Sequence, residues 1–105
     1  GGVRIKRTAW LDDAQIIQMF WGRSEQAIRE TDLKYGTYCG SVAFHVLYNR
    51  EDSAECVNDT YLHVWNRIPP ERPNYFRAYL GRIVRNLALD RYREAHAQKR
   101  YSGGW

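Results

Sequence analysis

Residues 76–94 read FRAYLGRIVRNLALDRYRE. At about 100° per residue, Phe76, Leu80, Ile83, Val84 and Leu87 share one arc of a helix, the side that packs on a bundle. Arg82, Arg85, Asn86 and Arg93 gather in an arc of about 100° roughly opposite. Arginine offers planar, permanently charged donors suited to phosphate and to stacking on bases, and an asparagine amide can both donate to and accept from a base edge. The outer side of this helix is therefore suited to nucleic acid. The alternative is a solvated basic face, the ordinary condition of a charged helix surface.

Working back from this helix, IPPERPNY (68–75) has three prolines in eight residues. Such a segment cannot be a helix interior and is expected to form a stiff, fairly extended loop. Before it, Asp52 with Glu55 forms a capping-box pattern that predicts the start of a helix, with Ala54, Val57, Tyr61, Val64, Trp65 and Ile68 facing inward and Pro69 and Pro70 ending it. A longer helix is predicted from a Ser24 cap to Asn49, with Ala27, Ile28, Tyr35, Tyr38, Cys39, Val42, Ala43, Val46 and Leu47 recurring at steps of three and four. Gly36 and Gly40 weaken it by about 1 kcal/mol each relative to alanine. Being four apart, they also permit close helix packing. Asp12 with Gln15 predicts a short first helix with Ala14, Ile16, Ile17, Phe20 and Trp21 on its apolar side, interrupted at Gly22. There is no internal repeat and no run of alternating residues that would make a sheet. The fold class expected is all-α, a compact bundle of three to four main helices.

Forward from the basic helix, the apolar stripe is lost after Arg93, and Gly103 and Gly104 predict a flexible tail over residues 101–105. Residues 1–11 read as an N-terminal extension, with Gly1 and Gly2 fitting the remnant of a tag. Residues 12–100 form the domain. A chain of 105 residues supports one modest core.

Charge is unevenly placed. From Phe76 to Arg100 there are seven basic and two acidic side chains, a net of +5, whereas residues 1–75 carry nine basic and ten acidic ones, a net of −1. A polyanion partner at the carboxyl end is the physical implication. Four Trp and eight Tyr exceed what so small a core needs, so some rings are expected at the surface. Tyr75 and Tyr79, beside the proline loop, are candidates to stack on the bases of a single strand, against the alternative of plain packing. Phe76 belongs to the core side.

Other classes find little support. No uncharged apolar stretch nears the roughly 20 residues of a membrane span, and GGVRIKRTAW lacks a signal peptide's apolar run. A cytoplasmic protein without a membrane partner is expected. Cys39 and Cys56 show no C-x-x-C spacing and fall on helices, which predicts two buried free thiols rather than a disulfide or zinc site. His45, His63 and His96 lie on three segments, and neither a nucleophile elbow nor a phosphate loop occurs, so no catalytic residue, metal or cofactor is expected. The acid pairs Asp12–Asp13 and Glu51–Asp52 sit where helix caps and N-terminal charges belong.

Taken in order, DSAECVNDTYLHVWNRI (52–68), the loop and FRAYLGRIVRNLALDRYRE resemble region 2 of bacterial RNA polymerase sigma factors, most closely the extracytoplasmic-function group. The resemblance covers roughly Asp12 to Arg100. It implies a transcription initiation domain, not an enzyme. In that family the helix matching residues 53–67 docks on the clamp coiled coil of the largest subunit of core RNA polymerase, and the matching positions here are Glu55, Asn58 and Asp59. Spacings of three and four put these three on one side of a helix. A solvated acidic face is the alternative there.

The following loop and helix in the family open the minus-ten promoter element and hold flipped bases of the non-template strand, the loop (here 69–75) helping to set which base is accepted. Asn86 matches a base-contacting position, and Arg82 and Arg85 match or neighbour backbone contacts. With Arg77, Arg93, Tyr75 and Tyr79 they make up the expected DNA-binding set. Asp90 is given a structural role through Asn86 and Arg93. Three positions depart from the family pattern: Tyr79 stands for tryptophan, Gly81 for a bulky aromatic and Asn58 for glutamine. The family's second DNA-binding domain is not in this sequence, so an isolated region 2 domain is expected. An anti-sigma factor is a further partner the resemblance suggests. The alternative function is an interaction module held by such a factor, without DNA contact of its own.

Overall fold

The computed structural model describes residues 10–103, the side chains of 98–103 excepted. Four helices make it up: α1 (Asp13–Trp21), α2 (Gln26–Leu47), α3 (Arg50–Arg67) and α4 (Phe76–Gly103). Among the described residues there is no strand. The expected all-α bundle is therefore what forms. Gly1, Gly2, Gly104, Trp105 and the side chains of Lys99 and Arg100 lie outside the described residues.

Asp12 caps α1 as its sequence requires, accepting from Gln15 N–H at 2.9 Å while the Gln15 side chain accepts from Asp12 N–H at 3.0 Å. For α2 the residue before the helix is Glu25, which makes no side-chain cap. Ser24 acts one position further out, its hydroxyl accepting from Gln26 N–H at 3.3 Å. The start of α3 differs from expectation. Asn49, not Asp52, is the cap, its side chain accepting from Asp52 N–H at 2.8 Å. This is possible because Tyr48 turns into the left-handed region (φ 50°) and ends α2 early, leaving two residues between the helices. Glu51 and Asp52 then lie in the first turn, where negative charge suits the helix dipole.

The core gathers the predicted stripes: Ile16 and Phe20 from α1, Cys39 and Ala43 from α2, Cys56 and Val64 from α3, and Phe76, Leu80 and Val84 from α4 are fully buried. Phe76 meets Phe20 and Tyr35 edge-on, at centroid distances of 6.3 and 5.9 Å. Both thiols are buried and free, and burial pushes the Cys39 pKa up to about 12. Ala14 and Ala54 were expected inward but are exposed, since their helices turn bulkier neighbours to the core. Of the two α2 glycines, only Gly36 is crowded. A Cβ there would meet Asp32 Oδ1 at 2.5 Å, whereas one on Gly40 would enter open space.

Tyrosine–carboxylate hydrogen bonds tie the elements together. Tyr35 on α2 donates to Asp13 on α1 (2.9 Å), Tyr61 on α3 to Asp32 on α2 (2.7 Å), and Tyr79 on α4 to Glu71 in the loop (2.7 Å). Burial, and then the bond to Asp13, raises the Tyr35 pKa to about 12. Tyr61 and Tyr79 are raised by burial and by their bonded carboxylates in the same way.

The proline segment is less extended than its composition suggests. Glu71 N–H reaches back to the Arg67 carbonyl at 2.9 Å, making a tight turn directly after α3. Arg23, at φ 57°, donates to the carbonyls of Trp65 (2.8 Å) and Ile68 (2.9 Å) with its guanidinium 3.7 Å over the Trp65 ring. A cation is thus placed on the orphan carbonyls at the end of α3. Trp21 Nε1 donates to the Glu71 carbonyl at 3.3 Å, and Arg72 lies 4.4 Å over the Trp21 ring. At the other end, α4 continues to Gly103, past the point where its apolar stripe ends and through residues 101–103 of the expected tail. Alanine, glutamate, glutamine and lysine after Arg93 are strong helix formers and sustain the helix without a core to pack on.

Candidate functional site

Helix α4 packs its Phe76–Val84 stripe inward, which forces Arg82, Arg85 and Asn86 outward. All three are exposed, and none has a side-chain hydrogen-bond or ion-pair partner among the described residues. Arg82 and Asn86 stand on a ridge with a cleft on either side. Toward α3 lies a cleft of about 200 Å³ bounded by His63, Arg67, Arg82, Ile83, Asn86, Leu87 and Asp90. Toward α2 lies one of about 400 Å³, in which Tyr38, Gly81 and Arg85 join them. Sequence spacing alone put the three α4 residues together; it gave no sign of the clefts, which need neighbouring helices.

The other residues of the expected DNA-binding set have different settings. Tyr75 is 79 % exposed at the foot of α4. Tyr79 is half-buried, its ring stacked on Phe76 (centroids 6.2 Å) and its hydroxyl held by Glu71. Arg77 lies 4.0 Å over the Tyr38 ring. Arg93 is exposed and makes a long contact to Asp90 (3.5 Å), one of the two helix neighbours anticipated for that carboxylate.

On α3, Glu55 and Asn58 are exposed and Asp59 half-exposed. Glu55 and Asp59 both bind Arg91 of α4, at 3.0 and 3.2 Å. Arg91 continues the core-facing stripe of α4 beyond Ala88, so its guanidinium is delivered to α3 rather than to the basic face. Asn58 lines a groove of about 630 Å³ between α2 and α3 with Ile28, Tyr61, Leu62 and Trp65. Leu62, one helical turn after Asn58 and 58 % exposed, was missed by a reading that followed polar residues.

The family described as Sigma-70 region 2 matches residues 34–98, more than half of the chain, including Glu55, Asn58 and Asp59 on α3 and the whole of the expected DNA-binding set. The chain belongs to the sigma-70 region 2 family. Neither a curated protein nor a solved structure matches it. Membership assigns the domain, in general terms, to RNA polymerase binding and to recognition of the minus-ten promoter element. The family is one of transcription factors rather than enzymes. Among the described residues, no group of three or more His, Cys, Asp or Glu could hold a metal ion, and no helix is long and apolar enough to cross a membrane.

Proposed function

We propose that this sigma region 2 domain belongs to the extracytoplasmic-function group and works through two separate surfaces. Glu55, Asn58 and Asp59 on α3 dock on the clamp coiled coil of the largest polymerase subunit. Arg77, Arg82, Arg85, Asn86 and Arg93, with Tyr75 and Tyr79, hold the non-template strand of the melted minus-ten element. Arginines grip phosphates while Asn86 reads a base that pairing no longer hides. The α3–α4 cleft, next to the loop at Arg67, receives that base. What carries the reading is the set Arg82, Arg85 and Asn86, exposed and unpaired on one ridge. The structural arginines of this fold have partners, carboxylates for Arg91 and backbone carbonyls with a ring for Arg23.

The α2–α3 groove, with Leu62 and Trp65 on its walls, favours a protein partner on that face and is compatible with a second reading, capture by an anti-sigma factor. Pull-down with and without core polymerase separates the two. The test of the leading reading is binding of single-stranded non-template oligonucleotides, each base varied in turn, with core polymerase present at two salt concentrations. A preference confined to one or two positions, on a steep salt dependence, is the expected result. Binding indifferent to both base and salt would refute it.

A further inference from the structure

Two of the three α3 residues assigned above to polymerase are already engaged inside the domain. Glu55 and Asp59 lie four apart on α3, and one guanidinium bridges them: Arg91 Nη1 donates to Glu55 Oε1 at 3.0 Å and Nη2 to Asp59 Oδ2 at 3.2 Å. The packing of α3 on α4 does not depend on these bonds. Cys56 and Val64 of α3 and Leu80, Val84 and Ala88 of α4 are fully buried, and the Cys56 thiol donates to the Val84 carbonyl at 3.4 Å. The carboxylates stay open to solvent, the side chains of Glu55 and Asp59 being 65 % and 48 % exposed. The second oxygen of each has no partner among the described residues. Ion pairs this exposed add little net stability, so exchanging their cation costs little. Burial lowers the Arg91 pKa, but the bonds to Asp59 and Glu55 outweigh it and leave the value raised, so the side chain acts as a permanent cation. Glu51 and Asp52, in the first turn of the same helix, have no cation partner among the described residues. Arg91 therefore cancels one charge of an acidic face that would otherwise attract a basic partner more strongly.

We infer that Arg91 is an internal stand-in for an arginine of core polymerase: docking exchanges its guanidinium for the partner's, and Arg91 holds the affinity of the free domain below what Glu55 and Asp59 alone would support. This rests on the polymerase-docking role proposed for α3 and adds the regulation of that surface. A planar guanidinium from the partner reproduces both hydrogen bonds at once, whereas a lysine supplies only a point charge. The exchange thus favours a partner that presents a well-placed arginine.

The affinity of the domain for core polymerase, measured at two salt concentrations, tests this. Arg91→Ala is expected to bind core about 2- to 10-fold more tightly, chiefly through faster association, and with a steeper salt dependence. Arg91→Lys keeps the charge and stays closer to the unsubstituted domain. The Glu55→Gln/Asp59→Asn double variant binds core more weakly, and adding Arg91→Ala to it changes nothing further. Should Arg91→Ala fail to fold by circular dichroism, Arg91→Gln, which keeps much of the stem, carries the same expectation. An Arg91 variant that folds and binds core no more tightly than the unsubstituted domain overturns the exchange. The carboxylate double variant distinguishes the failures. Core binding that falls with it, but does not rise with Arg91→Ala, removes only the exchange, whereas core binding indifferent to it removes the docking role itself.

Discussion

Asn86 and Arg91 lie five residues apart on one helix and do opposite things, because helix geometry sends one to solvent and the other onto α3. Asn86, unpaired between two clefts, offers an amide whose donor and acceptor both remain available. Asn86→Ala is therefore expected to relax base preference at one promoter position, by about 1–3 kcal/mol, and to leave other positions unchanged. Competition among promoter variants measures this, and a uniform loss across variants would contradict it. Arg91 is engaged by Glu55 and Asp59 through a side chain about one-third exposed, so Arg91→Ala should cost only about 1 kcal/mol in a denaturant titration. An equal loss in Glu55→Gln, not additive with it, would mark the pair as coupled. Residue spacing made Asn86, Arg82 and Arg85 legible as one outward set. It gave no account of Arg91, because a basic residue on a buried stripe looks like an exception until the carboxylates of another helix are seen opposite.

Helix boundaries follow local chemistry where the cap and the pattern agree, as at Asp12, and depart from it where a neighbour intervenes. The Asp52–Glu55 pattern suggested a start for α3, yet Asn49 takes that role because α2 stops at a left-handed Tyr48. Asn49→Ala is expected to lower stability by about 1 kcal/mol, and Asp52→Ala by much less, in thermal or urea unfolding. The reverse order would restore the sequence-based boundary. The loop after α3 was legible as a helix stop and not as a shape. Its turn depends on Arg23, Trp21 and Arg72 from distant segments, and no local pattern announces an arginine reaching the carbonyls of another helix. The same turn presents Glu71 to Tyr79, so the loop and the foot of α4 are fixed together.

Across the molecule, Tyr35, Tyr61 and Tyr79 join the helices through protonated hydroxyls donated to carboxylates. Their pKa values are raised in the folded state, so the protonated form favours folding. This contribution is fully present below about pH 10 and is lost as pH rises through about 12 for Tyr35. Alkaline unfolding coincident with late tyrosinate absorbance is expected; three tyrosines ionising well before the fold is lost would contradict it. The bundle and its apolar stripes were readable from periodicity, since burying one face of each helix leaves few packings for so short a chain. The clefts beside the α4 ridge were not, because they belong to pairs of helices. The separation of charge has the larger consequence, because the proposed function gives the acidic α3 surface to polymerase and the unpaired basic ridge to DNA. Measuring core polymerase affinity and promoter affinity for the Arg82→Ala/Arg85→Ala double variant tests that division most directly. Core binding should stay within about twofold while promoter binding falls and its salt slope drops by roughly 2; equal losses in both, or a promoter affinity that does not change, would contradict the account.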